Sequence, residues 1–208
     1  MSGIVGQNTL DNSGLIKSPA GGGAWNFIKK LTASSDSELS FVDGTDDVVL
    51  DDTYKEYVFT FNNIHPETDN KKFHFQANAV GGSGYDETMT TTTFGAGHKE
   101  DGSEGFLNYE ASADQAEGTS FQNFTANSSL GADNDQTFAG TLYLFNPSST
   151  TFVKHFMSNI NFATSSDYSV NDFVAGYFNT TSAIDDIQFK MSSGNIDSGD
   201  ICLYGISS

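Results

Sequence analysis

Aromatic and aliphatic residues alternate with polar residues along most of the chain, and the alternation has a period of two. Tyr57, Phe59 and Phe61 share one side of an extended segment, and Phe73 and Phe75 share one side of the next. This period is typical of β-strands with one buried face, and it differs from the period of 3.6 that an amphipathic helix requires. The pattern therefore predicts strands for both segments.

Similar segments, bounded by Gly, Pro, Asn, Asp and Ser, recur and predict about ten short strands. We place them at residues 25–31, 38–42, 57–63, 73–77, 88–94, 119–126, 137–145, 151–162, 172–179, 184–192 and 199–206. Residues 95–118 lack the alternation and are predicted as a long surface excursion, in which residues 110–117 are compatible with a short helix. Because no helical crossovers separate the strands, we expect antiparallel sheets.

These elements predict an all-β protein in which residues 25–208 form a single antiparallel β-sandwich domain. A jelly roll is the preferred topology, and an immunoglobulin-like sandwich is the second choice. The length of 208 residues suits one all-β domain. With 18 Phe and 8 Tyr against one Trp, we expect phenyl rings to fill much of the core.

Residues 1–24 differ from the rest because they are small, polar and rich in glycine. Two apolar pairs, Ile4 with Val5 and Leu15 with Ile16, interrupt this composition. One interpretation is a disordered terminus. The other is a flexible attachment arm that orders along a neighbouring subunit or a larger assembly, with the two pairs as anchors. We name residues 1–24 the attachment arm and predict these four residues as its assembly contacts.

The charge of the chain limits the classes of partner that it can bind. Acidic residues number 27 against nine basic residues, all of them Lys, and the net charge is −18. Nucleic acid is excluded as a partner because phosphate contacts need clustered cations. No apolar stretch approaches the roughly 18 residues of a membrane span, and the N-terminus lacks the features of a signal peptide. We therefore expect a chain without a membrane span that is made in a cytoplasm.

Motifs for catalysis are weak. The histidines at 65, 74, 98 and 155 occur singly, without the spacing of a zinc site, so structural roles are favoured. Cys202 stands alone in an alternating segment and is predicted as a small strand residue rather than a nucleophile. No pair of carboxylates stands out as the acid and base of a glycosidase, although acidic residues are abundant. We assign no catalytic residue and predict that the protein is not an enzyme.

Three acidic clusters are the best metal candidates, at residues 43–52, 133–135 and 197–200. Their carboxylate oxygens would suit calcium, but none has the spacing of the twelve-residue calcium loop. Solvated turns capped by Asp side chains are the favoured interpretation. Calcium is thus the only cofactor considered, and no metal ligand is assigned.

Five segments carry a family resemblance. They read YVFTFNNIHP at residues 57–66, FAGTLYLFNPSSTTFVKHF at 138–156, FVAGYF at 173–178, IQFKMSSGNI at 187–196 and LYGI at 203–206. In these segments the chain resembles structural proteins of tailed bacteriophages, especially phages of marine and cyanobacterial hosts. The likeness covers most of residues 25–206 and brings no catalytic or ligand-binding residue with it.

The resemblance implies a non-enzymatic virion structural protein, displayed on a particle as a homo-oligomer, for which we expect a trimer. A compact chain favours a capsid decoration, cement or knob protein, with other virion proteins such as the major capsid protein as partners. The expected location is the virion, after synthesis in the host cytoplasm. The alternative is a tail-associated fibre or receptor-binding protein that recognises host surface glycans through exposed rings such as Trp25, Tyr85, Tyr109 and Tyr168.

Overall fold

The structure is a computed structural model and describes residues 24–82 and 84–207. The predicted anchors of the attachment arm, Ile4, Val5, Leu15 and Ile16, lie outside the described residues. Within those residues the strands are β1 (Trp25–Asp36), β2 (Leu39–Val42), β3 (Glu56–Pro66), β4 (Phe73–Ala79), β5 (Met89–Lys99), β6 (Gly105–Tyr109), β7 (Ala116–Gly118), β8 (Gln122–Asn123), β9 (Phe138–Phe145), β10 (Lys154–Ala163), β11 (Tyr168–Phe178), β12 (Ile184–Met191) and β13 (Ile196–Ile206).

The strands form two antiparallel sheets that pack face to face. The large sheet has the order β1-β13-β3-β9-β10-β11-β5-β6, with β7 paired to the start of β5, and the small sheet has the order β2-β12-β4-β8. β1 and β13 lie side by side at one edge of the large sheet, where the Ser207 amide donates to the Ala24 carbonyl at 2.9 Å. The predicted antiparallel β-sandwich is confirmed, whereas the finer prediction of a jelly roll stays a prediction.

Phenylalanine rings join the two sheets. Phe61 of the large sheet lies with its ring centroid 5.3 Å from Phe189 and 5.7 Å from Phe73, both in the small sheet. The rings of Phe124 and Phe138 complete the contacts of Phe61, at 5.4 and 5.5 Å. These rings meet edge to face, which is the favoured geometry for aromatic pairs. The expectation of a core rich in phenyl rings is confirmed.

Residues 95–118 were predicted as a surface excursion, and that prediction is wrong. β5 continues through Gly95 and Gly97, and β6 and β7 then pair with it. A Cβ atom on Gly95 would overlap the carboxylate of Asp172, and one on Gly97 would overlap the ring of Phe106. Glycine weakens the strand pattern in the sequence, yet these two positions need it because neighbouring side chains fill the space.

Two further boundaries differ from the prediction. Residues 110–117, compatible with a short helix, contain a 3-10 helix of only three residues, Ala111–Ala113, and then enter β7. Residues 119–126 contain only the two-residue strand β8. The side chain of Asn123 accepts a hydrogen bond from the Thr125 amide at 2.9 Å. This local turn replaces hydrogen bonds to the neighbouring strand and ends β8.

Two charged side chains are fully buried in the sandwich, Asp172 and Lys154. Asp172 accepts hydrogen bonds from the backbone amide of Asn127 at 3.1 Å and from its side-chain amide at 2.7 Å. Burial raises the pKa of Asp172 in spite of these bonds. The Lys154 ammonium donates to the carbonyls of Phe152 and Thr180 at 3.0 and 3.1 Å, and burial lowers its pKa. Both groups tie loops to the sheets through charged hydrogen bonds.

Candidate interaction surface

The outer face of the large sheet points away from the small sheet, and many of its side chains are exposed. Most of the large apolar side chains that the described residues expose lie on this outer face: Trp25, Phe27, Phe94, Leu107, Tyr109, Met157 and Phe173. The other two, Val80 and Phe152, lie in loops. Several exposed apolar side chains on one face indicate an interaction site.

Strand register arranges the outer side chains in rows. One row crosses seven strands and consists of Phe27, Tyr204, Val58, Tyr143, Met157, Ala175 and Thr92. The next row consists of Lys30, Cys202, Thr60, Thr141, Asn159, Phe173, Phe94 and Tyr109. We name the side chains of these two rows the outer band. Cys202, predicted as a strand residue, lies within it and is buried, and so is Val58 between Tyr204 and Tyr143.

The aromatic rings at both ends of the outer band pack against neighbours. At the β5 end, Phe94 and Phe173 are stacked with their centroids 5.0 Å apart and an interplanar angle of 11°. At the β1 end, Tyr204 lies between Trp25 and Phe27, at centroid distances of 5.4 and 5.7 Å. The band therefore presents rings held in place by their neighbours, and these lose little conformational freedom when a partner covers them.

The outer band is almost free of charge in a strongly acidic chain. Among its side chains only Lys30 is ionised at neutral pH, although the chain carries 27 carboxylates. The nearest acidic positions are on the rows that border the band, at Glu56 and Asp200. At the other end, the Tyr109 hydroxyl bonds to Asp114, and this bond raises the pKa of Tyr109. The acidic residues thus surround the band rather than occupy it.

A shallow apolar groove of about 440 Å³ opens along one margin of the outer band. Thr90, Thr92, His155, Met157 and Tyr177 line it, together with the small residues Ala175 and Gly176. The rings of His155 and Tyr177 meet edge to face at 5.7 Å. Because the groove has small residues at its base and larger ones along its sides, it can receive a protruding apolar side chain.

A polar pocket of about 480 Å³ brings together two of the predicted acidic clusters, residues 133–135 and 197–200. His65 lies between them, with Nε2 3.3 Å from the Asp133 carbonyl and Nδ1 3.8 Å from an Asp197 carboxylate oxygen. In residues 24–82 and 84–207 no three His, Cys, Asp or Glu side chains are grouped so that they could hold a metal ion. The pocket is a polar surface feature and has no defined ligand set.

The third acidic cluster, residues 43–52, is a separate loop whose side chains cap its own turns. Asp43 accepts a hydrogen bond from the Leu50 amide at 2.8 Å, and Asp51 accepts one from the Thr53 amide at 2.8 Å. The bonds from Thr53 lower the pKa of Asp51. These contacts agree with the favoured interpretation of capped turns.

The remaining predicted residues are dispersed. Of the four rings considered for glycan recognition, Trp25 and Tyr109 share the outer face but lie near opposite edges. Tyr168 instead bonds to Glu104, and Tyr85 packs near Phe121. Among the histidines, burial lowers the pKa of His74 to about 4. A neutral structural role for this residue follows at neutral pH.

Comparison of the chain with protein-family models, curated proteins and solved structures gives no match. In the part of the chain that the structure describes, no helix is long and apolar enough to span a bilayer. The clearest feature of the described surface is a sheet face with exposed aromatic rings and little charge, bordered by acidic positions.

Proposed function

We propose that the chain is a non-enzymatic structural protein of a tailed-phage virion, attached to the particle as a capsid decoration, cement or knob protein that stabilises it. The outer band is the observation that carries the structural role, because a sheet face with several exposed aromatic side chains suits a subunit packed in an assembly. The phage assignment is supported by the resemblance of residues 57–66 and 138–156 to virion proteins. Its location is then the virion, after synthesis in the host cytoplasm.

The charge distribution supports packing against protein. Each copy has a net charge of −18, so copies repel one another wherever their carboxylates approach. A neutral band reduces that repulsion at one face and leaves dispersion and apolar burial to stabilise a contact. The proposed partners are copies of the chain, in a homo-oligomer for which the sequence suggests a trimer, and other virion proteins such as the major capsid protein.

Mass spectrometry of purified virions tests this function directly. Particles of the phage that encodes the chain should contain the polypeptide in a fixed ratio to the major capsid protein after density-gradient purification. Particles from a deletion phage should be less resistant to heat or to low ionic strength. Intact infectious virions that lack the polypeptide would rule out the proposed function.

Deleting residues 2–20 should release the protein from the particle without unfolding the sandwich. We expect particle occupancy to fall at least tenfold, since four aliphatic side chains would each lose about 1.5 kcal/mol or more of burial. Binding of the purified variant to particles that lack the protein measures the effect, with circular dichroism as the test of folding.

A variant of unchanged length separates the effect of the four apolar anchors from the effect of shortening the attachment arm. Replacing Ile4, Val5, Leu15 and Ile16 together with Ser keeps the chain length and should cause the same loss as the deletion. If either variant binds particles as the unchanged protein does, the attachment arm has no part in assembly.

Glycan recognition by a tail-associated protein is the second candidate. It is favoured by the exposed rings of Trp25 and Tyr109 on the outer face, with the uncharged polar groups of Thr141 and Asn159 between them. Aromatic rings and neutral amides are the groups that commonly contact sugars. A glycan array probed with the purified protein, with and without calcium, tests glycan recognition. Absence of binding under both conditions counts against this function.

A further inference from the structure

We infer that the outer band is the surface through which two copies of this chain pair face to face. The inference deepens the proposed function and rests on it for its biological meaning, because it names the partner that covers the band. The occupant is a second copy of the same face, so the pair has two-fold symmetry, as isologous contacts do. Any larger assembly, including the expected trimer, would then use other surfaces in addition.

Charge favours a second copy over an unrelated acidic partner surface. Two copies that meet through other parts of their surface bring carboxylates together, because 27 acidic residues cover a chain with nine cations. The outer band has one cation, Lys30, and the bordering row has Asp200, which accepts a salt bridge from Lys30 at 3.3 Å. The band is therefore a face on which like-charge repulsion between copies is small.

The size of the face fits a stable pair. Seven strands about 4.8 Å apart, and three rows of side chains about 7 Å apart, give a footprint of about 700 Å². The third row adds His155 and Tyr177 and, nearer the β1 edge, Glu56, so one carboxylate of each copy lies at the margin of the contact. Stable interfaces bury about 800 Å² on each partner. Two sheets can pack in this way because faces of twisted sheets interdigitate at a separation of about 10 Å.

Knobs and a depression lie next to each other on the same face. Met157, 55% exposed, stands at the side of the groove, and Phe94 and Phe173 project from the neighbouring row. A two-fold axis in the plane of the interface, midway between these side chains and the groove, would bring the projecting side chains of one copy onto the groove of the other. The adjacent knobs and groove make the band complementary to itself, which an isologous contact requires.

Sedimentation velocity of the purified full-length protein tests the inference. The unchanged protein should sediment with twice the monomer mass of 22.3 kDa. The dimer should tighten as NaCl rises from about 0.02 to about 0.3 M, because salt screens the repulsion between two acidic bodies. Met157→Glu should weaken the dimer by at least about 100-fold, since a carboxylate would be buried without a partner on each copy.

Two variants keep the test interpretable. Thr92→Glu changes an exposed polar position of the same row and should also dissociate the dimer. Val80→Glu is the matched control because Val80 is 59% exposed and directly follows β4 of the small sheet, on the other side of the sandwich. It should leave the mass and the salt response unchanged.

A monomeric unchanged protein would overturn the inference, as would an oligomer that both band variants leave intact. So would a monomer whose glycan binding is lost in the two band variants, since the band would then be a sugar site. The sedimentation result does not depend on whether virions contain the polypeptide. A dimer lost in both variants supports the inference even if virions lack the polypeptide, and a virion protein that assembles through another surface supports only the proposed function.

Discussion

Replacing Phe61 with Ala is expected to lower the free energy of unfolding by about 3–5 kcal/mol. The ring is 1% exposed, and it meets four other phenyl rings that come from both sheets and from the connection after β8. Its removal loses apolar burial and also leaves a cavity that the rigid sheets cannot fill. Urea unfolding followed by circular dichroism measures the change at constant denaturant slope.

Phe152→Ala is the control for this substitution, because Phe152 is 69% exposed. Surface changes of this kind are usually within about 0.5 kcal/mol. Phe61→Leu should fall between the two, because it keeps part of the volume. A loss below about 1 kcal/mol for Phe61→Ala would contradict a single core that joins the sheets.

Replacing Asp172 with Ala is expected to destabilise the protein by about 3 kcal/mol or more, since two amide donors of Asn127 lose their acceptor at about 1–3 kcal/mol each. The carboxylate is fully buried and fixes residues 126–127 against the large sheet. We expect hydrogen exchange to increase first in the connection between β8 and β9. Unfolding by urea and local exchange together measure the global and the local effect.

The pH dependence of Asp172 gives a separate test. Burial raises the pKa of this carboxyl above its ordinary value of 3.8. The folded state therefore holds the proton more tightly than the unfolded state does. The part of the stability that comes from protonation of this carboxyl is fully present below pH 3.8 and is lost as the pH rises through the raised pKa. The nearby Lys72 opposes this shift but does not outweigh burial.

Asp172→Asn isolates this titration because the amide approximates the shape of the carboxyl and does not ionise. The stability of the unchanged protein, relative to the Asn variant, should decrease as the pH rises from 3.8 through the raised pKa. A difference that stays constant over that interval, or that increases with pH, would show that Asp172 is not shifted upwards.

The sequence predicted the central strands well because their inner faces are uniformly apolar. Residues 57–63 and 73–77 became β3 and β4, and the phenyl rings on one side of each point into the core. The failure at residues 95–118 has a physical cause. The strand needs glycine opposite Asp172, and a glycine can be assigned to a strand only when its neighbours across the sheet are known.

The outer band shows a second reason why the sequence alone does not predict the interaction surface. Val58 and Tyr143 are apolar residues on the face opposite the core. A strand segment that is apolar on both faces indicates a second contact surface, and this signal is present in the sequence. However, the row itself depends on register between strands far apart in the chain. The meeting of the clusters at 133–135 and 197–200 around His65 depends on the same long-range register. Pattern within one strand does not determine it.

The pairing of β1 with β13 bears on how the protein is made. Residues 25–36 hydrogen-bond to residues 196–206, so the first strand waits for its neighbour until most of the polypeptide has left the ribosome. At about 5–20 residues per second that delay is roughly 10–30 s. During it, the apolar stretch that begins at Trp25 is unpaired and suited to chaperone capture. Nascent chains should therefore depend on such help more than the finished subunit does.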